Sequence, residues 1–157
     1  MADGATVPTI RDAVKADVST IIRLLRDDEL GQGRESGEAA DADAYRHAFD
    51  EIDDDPKNRL IVADLDGDVV ACMQVTVIPH LVFCGGKRLQ IEGVRVDKAF
   101  RSQNIGQQMI NWAIDVARET GCHLVQLTSN KLRKDAQRFY ENAGFAPSHI
   151  GFKYALD

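Results

Sequence analysis

LQIEGVRVDKAFRSQNIGQQMINWAIDVARET, residues 89–120, reads as a strand, a short polar turn and a helix. In the strand the apolar residues fall on Leu89 and Ile91, then on Val94 and Val96. Strict alternation would keep one parity, so the phase slips by one residue at Glu92-Gly93. An extra residue beside a glycine predicts a β-bulge. A bulge bends its strand and leaves backbone N–H and C=O groups without ladder partners, open to a ligand. Past the turn at 98–105, Ile105, Met109, Trp112, Ala113, Val116 and Ala117 follow helical spacing. The start of that helix is small and polar (Ser102, Gln103, Asn104, Gly106), carries no acid, and has Arg101 just before it. Exposed amides, the positive end of a helix dipole and a cation suit a phosphate. The stretch therefore predicts a strand that offers backbone to a ligand and a helix that holds the ligand's phosphates.

Outward from this unit, the 157 residues suit one domain, residues 1–157, with a single real core. Hydrophobic content of 44% and charged content of 28% are ordinary globular values. The net charge of -6 disfavours nonspecific binding to nucleic acid or to an anionic membrane. Arg101, Arg133, Lys134 and Arg138 could still form a local positive patch. Cys72, Cys84 and Cys122 are widely spaced and show no CxxC, which suits a reduced compartment. No apolar leader follows a basic start and no segment has membrane-spanning length, so the expectation is a soluble, cytoplasmic protein.

Residues 9–14 predict a short strand. Asp17 predicts an N-cap before an amphipathic helix (Val18, Ile21, Ile22, Leu24, Leu25) that ends near Gly31 and Gly33. Arg34 and Glu35 read as solvated loop charge or as part of a cover over an acceptor. Residues 41–52 predict a helix burying Ala44, Ala48, Phe49 and Ile52. The acidic run at 50–55 lacks the spacing and glycine of a calcium loop, and no metal site is expected. Strands at 59–65 and 69–77 are joined by Asp66-Gly67-Asp68, a hairpin signal. His80 follows the second strand as a loop residue or an acceptor-facing one. Gly121 predicts a helix cap, residues 123–128 a buried strand parallel to the bulged one, residues 135–142 a short helix, and residues 145–156 the end of the sheet.

Arg101-Ser102-Gln103-Asn104-Ile105-Gly106 resembles the R/Q-x-x-G-x-G/A pyrophosphate loop of the GNAT superfamily of acyl-CoA-dependent N-acetyltransferases, with Asn104 where glycine is usual. Asn tolerates the left-handed conformation best after glycine. Residues 135–145, DAQRFYENAGF, resemble the second hallmark, a helix ending A-x-x-F-Y-x-x-x-G-F. Residues 127–149 are similar to a bacterial subgroup that includes the aminoalkylphosphonate N-acetyltransferases, in which His149 likewise follows Ser148. The resemblance implies an α/β (α+β mixed) fold: a twisted mixed sheet of six or seven strands, about four flanking helices, and a splay at a β-bulge in the central strand. It implies acetyl-CoA as co-substrate and direct acetyl transfer to a primary amine of a small molecule through a ternary complex. Val94, Arg95 and Val96 would meet pantetheine, the Val94 N–H polarising the thioester. Arg101, Ser102, Gln103, Asn104, Ile105, Gly106 and Gln107 would hold pyrophosphate. Asn130, Arg133, Asp135, Ala136, Arg138 and Phe139 would complete the coenzyme side. Arg133 stands where an asparagine is frequent, so it would meet a phosphate instead.

Tyr140 occupies the position of the family's proton donor to the departing thiolate. Glu92 is the candidate base, through a water, or else a strand-end charge paired with Arg88 or Arg95. Dimerisation is common in such proteins, so a homodimer is one assembly the resemblance admits. Two other activities fit the same residues: an acyl-CoA-binding module without turnover, and a protein or peptide lysine acetyltransferase. A P-loop or dinucleotide-binding enzyme is excluded, since neither glycine fingerprint occurs.

Overall fold

The structure is a computed structural model that describes residues 7–27, 29–35 and 42–156. Strands β1 (Thr9–Asp12), β2 (Asn58–Leu65), β3 (Asp68–Pro79), β4 (Lys87–Val96) and β5 (Cys122–Leu127) lie side by side in chain order. The first three pairings are antiparallel and β4–β5 is parallel, so the sheet is mixed and open. Six helices are described: α1 (Val18–Arg26), α2 (Glu29–Gln32), α3 (Ala42–Asp54), α4 (Val82–Gly85), α5 (Ile105–Glu119) and α6 (Lys134–Asn142). The β2–β3 turn is Asp66-Gly67 alone, with φ of 52° and 95°, the two left-handed residues a tight hairpin needs.

Strand alternation divides the core into two layers. In β2, Ile61 and Ala63 pack with Ile105, Met109, Ile110 and Ala113 of α5. Val62, between them, faces the other way and packs with Ile21 and Leu24 of α1 and Phe49 of α3. Each fully buried Leu, Ile or Met contributes roughly 1.5–3 kcal/mol. The helix α5 thus follows β4 on one face of the sheet and returns the chain to β5, a parallel crossover.

Several expectations are corrected. Ala44 and Ala48 are exposed; Phe49 is buried, with Tyr45 and Ile52 half-buried, so α3 lies on the sheet by a narrow stripe. Asp17 precedes α1 but makes no side-chain cap to it. Its carboxylate instead accepts the Val14 N–H at 2.8 Å and Arg11 Nη1 at 2.7 Å, an ion pair outcompeting a cap. The first helix stops at Arg26, and the glycine pair lies in and after α2. The strand β5 is half-buried along most of its length, because it is an edge. Residues 145–156, expected to finish the sheet, form no strand, which leaves five strands instead of six or seven among the described residues. Pro147 supplies no N–H there, Ser148 N–H turns back on Ala146 O at 2.8 Å, and every residue from 146 to 156 is exposed.

Candidate active site at the β4 bulge

The bulge falls at the predicted residue. Cys72 pairs with Arg95 and Gln74 with Glu92, so Met73 alone faces both Gly93 and Val94. Gly93 has φ of 63°, the left-handed position that one type of bulge reserves for glycine. On the other side of β4 the ladder to β5 ends at Ile91–Leu127. The two strands therefore part just where the bulge begins. The Asp97 N–H bonds Val70 O at 2.8 Å on the β3 side, and alternation turns the peptide groups of Val96 and Val94 toward the gap. There Arg95 Nη1 donates to Val94 O at 2.7 Å and Arg101 Nε to Val96 O at 3.2 Å.

At the mouth of the gap stands the N-terminus of α5. Asn104 is its N-cap residue in the left-handed conformation, φ 65°, and its side chain caps nothing. Ser102 is also left-handed, φ 64°. Gln103 donates to Ala99 O at 3.4 Å, and the first turn of α5 contains no acid. Arg101, Ser102, Gln103 and Asn104 are exposed, Gly106 and Gln107 half-buried, and Ile105 is a buried anchor. A Cβ on Gly106 would stand 3.3 Å from Phe139 Cζ and 3.7 Å from Val96 Cγ2. Gly106 thus joins the loop, the bulged strand and α6 in one contact, which the spacing of the two motifs alone did not reveal.

The helix α6 contributes Tyr140, half-buried between Phe139 (5.2 Å between centroids) and Phe145 (6.0 Å). Its hydroxyl takes part in no hydrogen bond among the described residues. Burial pushes the phenol above its usual range, and the guanidinium charges of Arg95 and Arg133 pull the other way. Arg133 is the N-cap residue of α6, with its N–H on Asn130 O at 2.9 Å. The Asn130 side chain accepts the Leu132 N–H at 2.9 Å, which shapes the loop. Asp135 and Arg138 pair with each other on the exposed side of α6, and Ala136 is half-buried.

Glu92 is exposed, opposite Gln74, and forms no ion pair with Arg88 or Arg95 among the described residues. Leu25 of α1 approaches the next residue, its Cδ2 lying 3.8 Å from where a Gly93 Cβ would be. Arg34 and Glu35 pair at 2.7 Å, and Tyr45 donates to Glu35 at 3.0 Å. His80 lies away from the bulge. It follows Pro79, which pairs with Lys87, five residues and roughly 17 Å along β4 from Glu92. Its ring is 5.5 Å from that of His123, and both its nitrogens are enclosed without a hydrogen-bond partner. Desolvation, Arg88 and His123 all hold its pKa down.

Sequence reading missed two features. Arg23–Asp97 and Lys98–Asp27, each 2.8 Å, fasten α1 to the segment between β4 and the α5 loop. Cys72 Sγ lies 3.7 Å from Gly93 O, so one cysteine borders the bulge. Burial pushes its thiol up to about 12, Arg95 only partly offsetting it, so no thiolate is available at neutral pH. Among the described residues no His, Cys, Asp and Glu cluster suits a metal ion. A hollow between α3 and β2, lined by Phe49, Pro56 and Arg59, includes none of the candidate site residues.

The β4–β5 ladder thus ends beside a glycine bulge and a helix start that has no acid and no side-chain cap. The chain belongs to the acetyltransferase (GNAT) family, whose pattern matches residues 20–145. It is 34% identical to the aminoalkylphosphonate N-acetyltransferase of Salmonella typhimurium (strain LT2) over 116 residues, 74% of this chain and 75% of that protein. It is 29% identical to the glucosamine 6-phosphate N-acetyltransferase of Arabidopsis thaliana over 131 residues, 82% and 85% of the two chains. A crystal structure described as a transcriptional regulator from Bacillus halodurans C-125 superposes with a TM-score of 0.91 at 46% identity, covering 95% of this chain and 99% of that one. Among the described residues no helix is long and apolar enough to cross a membrane.

Proposed function

We propose that residues 1–157 form one cytoplasmic catalytic domain that transfers acetyl from acetyl-CoA directly to a primary amine of a small molecule. The observation that carries this reading is the end of the β4–β5 ladder at Ile91–Leu127, two residues before Gly93, with Tyr140 within reach of the charge of Arg95 just past the bulge. Acetyl-CoA would supply an activated thioester. The N–H groups of Val94 and Val96, turned into the gap, are the natural partners of pantetheine, and Val94 N–H the donor to the thioester oxygen. The amides that open α5 suit the pyrophosphate, with Arg101 exchanging Val96 O for a phosphate oxygen. Arg133 adds a cation beside α6.

Tyr140 gives its proton to the departing sulfur, and its raised pKa keeps that proton in place at neutral pH. The attacking nitrogen loses its proton through water toward Glu92. Cys72, protonated and buried, is no acyl carrier, which favours transfer in one ternary complex. Both named relatives act on acceptors that unite an amine with a phosphorus oxyanion. Aminoalkylphosphonates and amino-sugar phosphates are therefore the first acceptors to try. Release of CoA thiol with such an amine supports the reading. Acetyl-CoA binding without thiol release from any amine or lysine peptide would replace it with a binding module.

A further inference from the structure

Alternation along β4 gives its two faces different chemistry. Leu89 and Ile91 are buried in the layer under α5, so Arg88, Gln90 and Glu92 turn to the opposite face. Where α1 and α3 pack, that face is apolar, with Val62 and Cys72. Toward the start of β4 it becomes polar. Gln90 stands between Thr76 of β3 and Gln126 of β5, and Glu92 stands across from Gln74. The middle of this floor is neutral and bonded within itself. Gln126 donates to Gln90 at 2.7 Å, and Gln74 and Thr76 donate to Asn58 Oδ1 at 3.3 and 2.6 Å. Its two ends are charged and unlike. Glu92, exposed at the bulge, is one end. Arg88, four residues and roughly 13 Å back along β4, is the other, with His80 close enough to feel its charge. Arg88 Nε and both ring nitrogens of His80 are enclosed without a hydrogen-bond partner. The charges acting on His80 are those of Arg88 and His123, and no carboxylate among the described residues offsets them.

We propose that Arg88 and His80 bind the phosphorus oxyanion of a zwitterionic acceptor, which lies along this floor with its amine toward Glu92. The proposal rests on the acetyl-transfer reading and gives the acceptor a direction and an anion site. An enclosed charged donor without an acceptor is costly, and an oxyanion is the acceptor that relieves it most strongly. The planar guanidinium and an imidazole N–H can share the three oxygens of a phosphonate or phosphate group, where a carboxylate offers two. At the other end, Glu92 is the one group of this floor that attracts an ammonium and can draw off its proton. A water on Glu92 and the long Arg88 side chain shorten the span to that of a small amine with its anion a few bonds away. The neutral glutamines between them leave an acceptor's middle uncharged.

The test compares CoA-thiol release with an aminoalkylphosphonate and with an uncharged aminoalkanol of the same chain length. The phosphonate is expected to lead by about 30-fold in kcat/KM. Arg88→Gln should remove that lead through KM and change the aminoalkanol by less than about threefold. Arg88→Lys, which keeps the charge and loses the fork, should fall between. His80→Phe is the second variant should Arg88→Gln fail to fold, and it should cut the lead at least about threefold. Titration of the aminoalkylphosphonate into the CoA-bound protein reads the same contact without turnover. Binding should weaken about 30-fold in Arg88→Gln, while CoA affinity stays within about twofold. A wild-type chain with no preference for the phosphonate overturns the proposal, as do variants that lose both amines equally or neither. Phosphonate binding that depends on Arg88, with no thiol released from any amine, would keep this site and remove the catalytic reading. Thiol release indifferent to Arg88 and His80 would do the reverse.

Discussion

Tyr140 carries the proposed proton transfer, and its surroundings set what its removal should do. Tyr140→Phe keeps the packing against Phe139 and Phe145 and removes the proton. Its kcat should fall about 10²-fold, while acetyl-CoA affinity measured by calorimetry stays within threefold. Because burial raises the phenol pKa, kcat should show no alkaline loss from this group until the pH passes the ordinary tyrosine value of 10.0. A pH profile that falls between about 8 and 9 in the wild type but not in Tyr140→Phe would contradict that assignment. Cys72→Ala tests the opposite claim. It removes a buried sulfur, costs about 1 kcal/mol of stability, and should leave the rate within a few-fold, with no acyl-protein trapped by mass spectrometry. The bulge glycine, Gly93, was legible in the sequence because it sits in a short local pattern, the slip of apolar alternation at Glu92-Gly93. Cys72 was not, since its place at the bulge depends on β3–β4 register, and register is a tertiary fact.

Among the elements, the loop before α5 is the most constrained. Asn104 adopts the left-handed conformation that glycine would take, so the departure from the family pattern is conformationally conservative. Asn104→Gly should therefore bind acetyl-CoA within about threefold of wild type, whereas Asn104→Val, strained at positive φ, should bind at least tenfold more weakly. Equal affinities for the two variants would show that the loop conformation does not matter to the coenzyme. The bulge, the hairpin at Asp66-Gly67 and the α5 crossover could all be read from periodicity and turn residues. The end of the sheet could not. Residues 145–156 have a strand's alternation, but alternation states which face wants burial and not which edge supplies it. Asp17 failed as a cap for a related reason: Arg11, distant in helix terms but adjacent across the turn, took its carboxylate.

At the scale of the molecule, the acidic chain is fastened at its β1 side by Arg11 with Asp17 and Asp64, and by Arg59 with Asp12. The paired guanidinium holds Asp17 below the usual carboxylate range against the opposing effect of burial, and Asp12 and Asp97 are lowered likewise by Arg59 and Arg23. Groups with lowered folded pKa values add stability above the unfolded value of 3.8, and that stability is lost as pH falls through the folded values. Acid denaturation should therefore steepen below about pH 4, and Asp17→Asn should flatten it while lowering stability at neutral pH. An unchanged acid slope in that variant would remove the ion pair from the account. The measurement that tests the central claim most directly is CoA-thiol release from acetyl-CoA with aminoalkylphosphonates, amino-sugar phosphates, polyamines, amino acids, aminoglycosides and lysine peptides, beside Tyr140→Phe. Turnover with a small primary amine is expected, reduced about 10²-fold in the variant. Acetyl-CoA bound in the gap with no thiol released from any amine, or equal turnover by Tyr140→Phe, would contradict it.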